Sequence, residues 1–162
     1  MRTPQRSGAS NPFGDRLARA RRPKAHASKV HVVLENADPR WGEIDRYLFN
    51  EGRHLRLWEH LGSHVGVHDG TPGVWFAVWA PDAQSVSVVG DFNAFDATSH
   101  HMLPVGSTGV WSAFVEGATV GQCYKYAVRG ADGRTVQKAD PLARATEVPP
   151  RTASVKIGRA HV

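Results

Sequence analysis

Apolar and polar positions alternate in short runs along the second half of the chain, and these runs predict strands. Val74, Phe76 and Val78 interleave with Trp75, Ala77 and Trp79, the period of two that puts successive side chains on opposite faces of a sheet. Ala80-Pro81-Asp82-Ala83 carries turn chemistry, since proline presets φ and aspartate can hydrogen-bond its own backbone. The pattern therefore predicts a hairpin with Ser85–Val89, which Gly90-Asp91 ends. Val110–Glu116 is another alternating run, with Val110, Ser112 and Phe114 on one face and Trp111, Ala113 and Val115 on the other. Gln122–Arg129 follows, and a tight loop at Ala131–Arg134 leads into Thr135–Lys138. Arg151–Val155 reads as a last edge strand. Short strands separated by frequent turn signals predict an all-β sandwich.

Upstream the pattern changes. In Asp45–His64, Leu57, Trp58 and Leu61 fit one face of a short helix, with Leu55 at its edge and Gly62 as its stop. Val67–Gly73 contains Asp69-Gly70 and Pro72-Gly73 and is expected to be a loop. Lys29–Glu35 has the composition of a short strand but no evident partner, and residues 1–29 show no sustained period and are expected to be disordered. The expected organisation is a basic arm at 1–29, a lead-in with a short helix at 30–66, and the sandwich at 67–155.

At 41% hydrophobic and 22% charged residues the chain falls in the globular class. It has no apolar run near the roughly 20 residues that a membrane span needs, and no apolar segment follows the basic start as in a secretory signal. The single cysteine, Cys123, excludes an intrachain disulfide and suits a small buried hydrophobe in the reducing cytoplasm. The net charge of +5 is concentrated: residues 1–29 hold eight basic side chains against Asp15 alone. The remainder carries twelve basic and fourteen acidic side chains. A basic arm can meet nucleic acid, but this one lacks interleaved aromatics, so a leader is the simpler reading and nucleic acid is not expected as a partner.

Few residues offer chemistry. His60, His64 and His68 have the i, i+4, i+8 spacing of metal ligands on one helix face, but Gly62 and Gly66 interrupt that helix, and no metal site is expected. His100-His101 lies in a polar loop and is expected to be solvated. The acids are scattered over turns, with no convergent pair for glycoside chemistry, and the common phosphate-binding and nucleophile motifs are absent. No catalytic residue is expected in this chain. The tryptophans are better read as packing residues. Trp75 and Trp79 share a strand face whose opposite side is wholly apolar, so both faces should be covered. Trp58, Trp75 and Trp79 are thus candidates for contact with another domain.

Several segments act together as a family signature: YLFNEG (Tyr47–Gly52), LRLWEHLG (Leu55–Gly62), FAVWAP (Phe76–Pro81), VSVVGDFN (Val86–Asn93), YKY (Tyr124–Tyr126), KADP (Lys138–Pro141) and TASV (Thr152–Val155). From about Asp45 to Val155 the chain resembles the N-terminal part of glycogen (1,4-α-glucan) branching enzymes. The resemblance implies an immunoglobulin-like β-sandwich that precedes an α-amylase-type barrel. Such enzymes cut an α-1,4-glucan, hold it on an aspartate and transfer it to a 6-hydroxyl with a glutamate as acid/base. Those residues belong to the barrel, and no organic cofactor or metal is implied. Isoamylases, debranching enzymes and trehalohydrolases carry related modules, and a stand-alone glucan-binding module is the other alternative. The YLFNEG and TASV segments favour branching enzymes.

The glycogen-binding module of the AMP-activated kinase β subunit is also similar, and its FNNW and YKF segments match Phe92–Phe95 and Tyr124–Tyr126. The resemblance implies a glucan site at Asn93, Phe95 and Lys125, where an aromatic ring stacks on sugar C–H faces and polar groups meet hydroxyls. Phe95 replaces the usual tryptophan, and Arg134-Thr135 stands where a second one is expected, so the site is reduced. Alternatively, Phe95 packs under its own loop and Lys125 is a solvated strand residue. The final heptapeptide, Lys156–Val162, is what a common sequencing adapter encodes (AAG ATC GGA AGA GCA CAC GTC), so the chain is expected to be cut artificially at about Lys156, the alternative being a genuine basic C-terminal tail.

Overall fold

The computed structural model describes residues 38–158. The expectations for the basic arm, for a strand at Lys29–Glu35 and for residues 159–162 lie outside that range. A helix α1 (Glu43–Asn50) is followed by eight strands: β1 (Gly62–His68), β2 (Thr71–Trp79), β3 (Ser85–Gly90), β4 (Leu103–Pro104), β5 (Val110–Glu116), β6 (Cys123–Arg129), β7 (Thr135–Lys138) and β8 (Ser154–Val155). One antiparallel sheet has the order β1-β2-β5-β4, and the other has β3-β6-β7 with β8 also paired to β6. This is the expected all-β sandwich. Among the described residues, no helix is long and apolar enough to cross a membrane.

Alternation decides which side chains lie between the sheets. Val74, Phe76 and Val78 of β2 face Val86 and Val88 of β3 and Tyr124 and Tyr126 of β6, with Val115 and Met102 completing the cluster. Trp111 and Ala113 of β5 pack onto it from the side that alternation assigns them.

Four expectations need correction. The segment Ala80–Ala83 does not close a hairpin, because β2 and β3 belong to different sheets. Ala80 N–H donates to Gly109 O at 2.9 Å, whereas Gln84 N–H donates to Arg129 O at 2.9 Å, so the donors flanking the turn are taken by strands of opposite sheets. Second, the hairpin partner of β2 is β1, which occupies part of the expected loop. Asp69 (φ 50°) and Gly70 (φ 79°) form the two-residue turn between them, and left-handed backbone at both positions suits the twist of a tight hairpin.

The helix also lies elsewhere. It covers Glu43–Asn50, and Leu57–Glu59 makes only a single 3-10 turn before β1 opens at Gly62 with φ 88°. Finally, β2 is apolar on both faces largely for internal reasons. Trp41, Leu61, Ala77 and Val110 form a second buried cluster on the outer face, supported by Phe49 of α1, so the lead-in segment itself covers this part of the sheet.

Candidate functional site

The loop after β3 carries two of the three expected glucan contacts. Gly90 ends the strand where a Cβ would run into the Cys123 carbonyl and the Phe92 ring. Asp91–Asn93 then forms a 3-10 turn, and Ala94 (φ 52°) and Phe95 (φ 59°) are both left-handed. Consecutive left-handed residues without glycine are strained, and here hydrogen bonds hold them. Phe95 N–H donates to Gly90 O at 2.9 Å and Asp96 N–H to Asn93 O at 3.0 Å.

Asn93 is the centre of this loop. Its side-chain oxygen accepts the Gly90 N–H at 2.9 Å, and its amide nitrogen lies 3.1 Å from Val88 O, 3.3 Å from Asp96 O and 2.9 Å from His100 Nδ1. An amide with this many partners shapes the loop and has little capacity left for a sugar hydroxyl. Asp96 closes the far side by accepting from Ser99 Oγ at 2.5 Å and from the Thr98 N–H and hydroxyl at 2.9 and 2.7 Å. These bonds, that from Ser99 first, hold its carboxyl down at about 2.

Lys125 lies opposite Val89 in the β3–β6 register, next to the point where the loop leaves the sheet. Its Nζ donates to Thr152 Oγ1 at 2.8 Å, and the side chain is half-buried. Asn93, Phe95 and Lys125 therefore occupy one end of the second sheet, and Phe95 is half-buried as well. His100 is not solvated as expected: its ring packs edge-on to Phe92 at 5.6 Å, and burial lowers its pKa. His101 Nδ1 lies 2.9 Å from the hydroxyl of Ser87.

The three tryptophans separate. Trp75 is 4% exposed and is covered from within the chain by His68 and Phe114, each with ring centroids 5.0 Å away, and by the Arg40 guanidinium at 5.6 Å. Trp75 thus has no open face for another domain. Trp58 and Trp79 are each 56% exposed. Trp79 ends β2 beside Phe49, and Trp58 borders a shallow cleft with Leu61, Leu142 and Ile157.

His60, His64 and His68 do not share a helix. His64 and His68 lie on β1, where His64 Nε2 meets Leu61 O at 2.8 Å. His60 instead lies beside Asp45 and His54, a grouping across the chain that local spacing does not reveal.

The YKY and KADP segments meet in the core. Asp140 accepts from the Tyr124 hydroxyl at 2.6 Å, the Tyr126 hydroxyl at 3.4 Å and the Leu142 N–H at 2.8 Å. Burial raises the Asp140 carboxyl, and burial together with that carboxylate pushes both tyrosines well above their usual range. The tyrosines stay protonated and donate. Cys123 is half-buried and its thiol is free, while its N–H donates to Asp91 Oδ2 at 2.7 Å.

Residues 60–143, a little over half of the chain, match the family described as carbohydrate-binding module 48, the isoamylase N-terminal domain. The chain belongs to this family. It is 51% identical over 117 residues to a 1,4-alpha-glucan branching enzyme of Streptomyces coelicolor, covering 72% of this chain and 15% of that protein. Against the 1,4-alpha-glucan branching enzyme of Rhodococcus jostii it is 54% identical over 120 residues, covering 72% and 16%. The chain thus spans about one-sixth of the length of these curated relatives. The structure of PulA from Klebsiella oxytoca aligns over 61% of this chain and 10% of that one, with 27% identity and a TM-score of 0.46.

Proposed function

We propose that this chain is the β-sandwich part of a 1,4-α-glucan branching enzyme, which cleaves α-1,4-glucan chains and transfers them to 6-hydroxyls in glycogen synthesis in the cytoplasm. The sandwich seats and orients an α-amylase-type barrel and performs no chemistry itself. The observation that carries this reading is the identity of 51–54% over 115–120 residues to branching enzymes from three bacteria. The exposed Trp58 and Trp79 support it, since large aromatics left bare on a packed module suit a domain contact.

Glucan is the proposed partner of the loop end. Phe95 would offer the stacking face and Lys125 a donor to hydroxyls, while Asn93 holds the loop in shape. Support comes from the family's description as a carbohydrate-binding module and from the position of these residues at one end of the second sheet. With phenylalanine in the stacking position, affinity for glycogen should be weak.

An exchange experiment tests the main reading. Residues 38–155 replace the matching segment of the Streptomyces coelicolor enzyme, and branching of amylose is followed by loss of iodine colour. A chimera that branches amylose supports the proposal. A folded chimera without branching overturns it.

A further inference from the structure

Asp45, His54 and His60 come from three parts of the lead-in segment: the first turn of α1, the stretch beyond its end, and the residue after the 3-10 turn. One candidate ligand atom from each lies within 4.8 Å of the other two. His54 Nε2 is 3.2 Å and His60 Nε2 is 3.6 Å from the same oxygen, Asp45 Oδ1. Zinc held tetrahedrally at about 2.0–2.1 Å by nitrogen and oxygen sets its ligand atoms roughly 3.3–3.4 Å apart. Two edges of such a polyhedron are therefore already near their proper length.

The surroundings hold these groups in place. Asp45 Oδ2 accepts the Gly42 N–H at 3.1 Å, which leaves Oδ1 toward the histidines. The two imidazoles meet edge to face at 4.8 Å, and Trp41 packs against both, at 6.3 and 5.0 Å. The histidine side chains are 6% and 13% exposed while the carboxylate keeps 32%, so the open side of the cluster faces solvent.

A plain aspartate–histidine hydrogen bond explains His54 but not His60. At 3.6 Å, His60 Nε2 is beyond hydrogen-bond length, and its Nδ1 is buried with no partner among the described residues. The geometry thus leaves His60 Nε2 near Asp45 Oδ1 without a hydrogen bond to it. A cation at the point shared with Asp45 would satisfy Nε2.

We propose that Asp45, His54 and His60 bind a divalent transition cation, with zinc taking both Nε2 atoms and Oδ1 and water filling the fourth position. Imidazole with a single carboxylate suits zinc, nickel or cobalt and disfavours magnesium and calcium. The site would pin α1 to the turn that precedes β1, beneath Trp41.

The test titrates the full 162-residue chain with zinc ion alone while the imidazole nitrogens are followed by NMR. The expected result is a shift of the His54 and His60 ring resonances that is complete at one equivalent and unaffected by excess magnesium. Chelator competition should then give an affinity at least tenfold lower for His60→Gln and for Asp45→Asn, with His64→Gln unchanged. Unmoved His54 and His60 resonances at one equivalent, or zinc affinity equal in the wild type and His60→Gln, would overturn the proposal. The wild-type spectrum decides even where a variant folds poorly.

Discussion

Tyr124 of β6 donates its buried hydroxyl to the carboxylate of Asp140, just beyond β7, at 2.6 Å. The same hydroxyl lies 3.1 Å from Ser63 Oγ on β1, and the neighbouring Tyr126 hydroxyl reaches Ala77 O on β2 at 3.3 Å. Asp140 therefore anchors side chains of β6 that contact both strands of the facing hairpin.

Asp140→Ala should destabilise the fold by about 2–5 kcal/mol, because it removes the acceptor shared by two buried hydroxyls, which keep only Ser63 and Ala77, and strands the Leu142 N–H. Tyr126→Phe, whose bonds are 3.3 and 3.4 Å long, should cost only about 1 kcal/mol. Urea unfolding measures both. Similar small losses for the two variants would contradict the network.

Asp140 and Asp96 should respond to acid in opposite senses. Burial raises the Asp140 pKa in the folded state, so its contribution is complete below the unfolded value of about 3.9 and is lost as pH rises through the folded value. Asp96 is held at about 2, so its contribution is present above roughly 3.9 and disappears as pH falls toward 2. Measured against Asp140→Asn, the wild type should gain relative stability on acidification. Measured against Asp96→Asn, it should lose it. Chemical denaturation at neutral and acid pH separates the two.

Ala94→Gly should stabilise the protein by about 0.5–1 kcal/mol, because glycine tolerates the φ of 52° without strain. Glycogen co-sedimentation should be unchanged in that variant and reduced in Phe95→Ala. Asn93→Ala should lose both stability, by about 1–3 kcal/mol, and retention, since the loop depends on its amide. Undiminished retention in Phe95→Ala would remove the glucan role from this loop.

Trp41 fills the second cluster, yet its Nε1 is buried without a hydrogen-bond partner among the described residues. Trp41→Ala should cost about 3–5 kcal/mol through the cavity. Trp41→Phe removes the orphaned N–H while keeping an aromatic ring and should cost under about 1.5 kcal/mol. Thermal or urea unfolding of the pair distinguishes packing from polarity at this position.

Strands β2, β5 and β6 were legible because their alternation is local and the sandwich core uses one parity of each. The sheet to which each belongs was not, since Ala80 and Gln84 find their acceptors, Gly109 and Arg129, far along the chain. Strand β1 was missed because glycine and histidine interrupt its alternation, although Asp69-Gly70 marked its turn. The apparent helical face of Leu57, Trp58 and Leu61 arises from a single 3-10 turn, and Leu55 is left 85% exposed. At the loop, the resemblance to a glycogen-binding module pointed to Asn93, but only its hydrogen bonds reveal an internal role. His54 carried no local signal, and Asp140 was marked only as part of the KADP segment, because their partners lie on other elements.

The support role rests most directly on Trp79, exposed at the end of β2 and free to meet a neighbouring domain. The decisive measurement compares amylose branching by the exchanged Streptomyces coelicolor enzyme with and without Trp79→Ser, alongside glycogen co-sedimentation of the same pair. The account predicts that branching falls at least tenfold while glycogen retention stays the same. Equal branching by the two would contradict it.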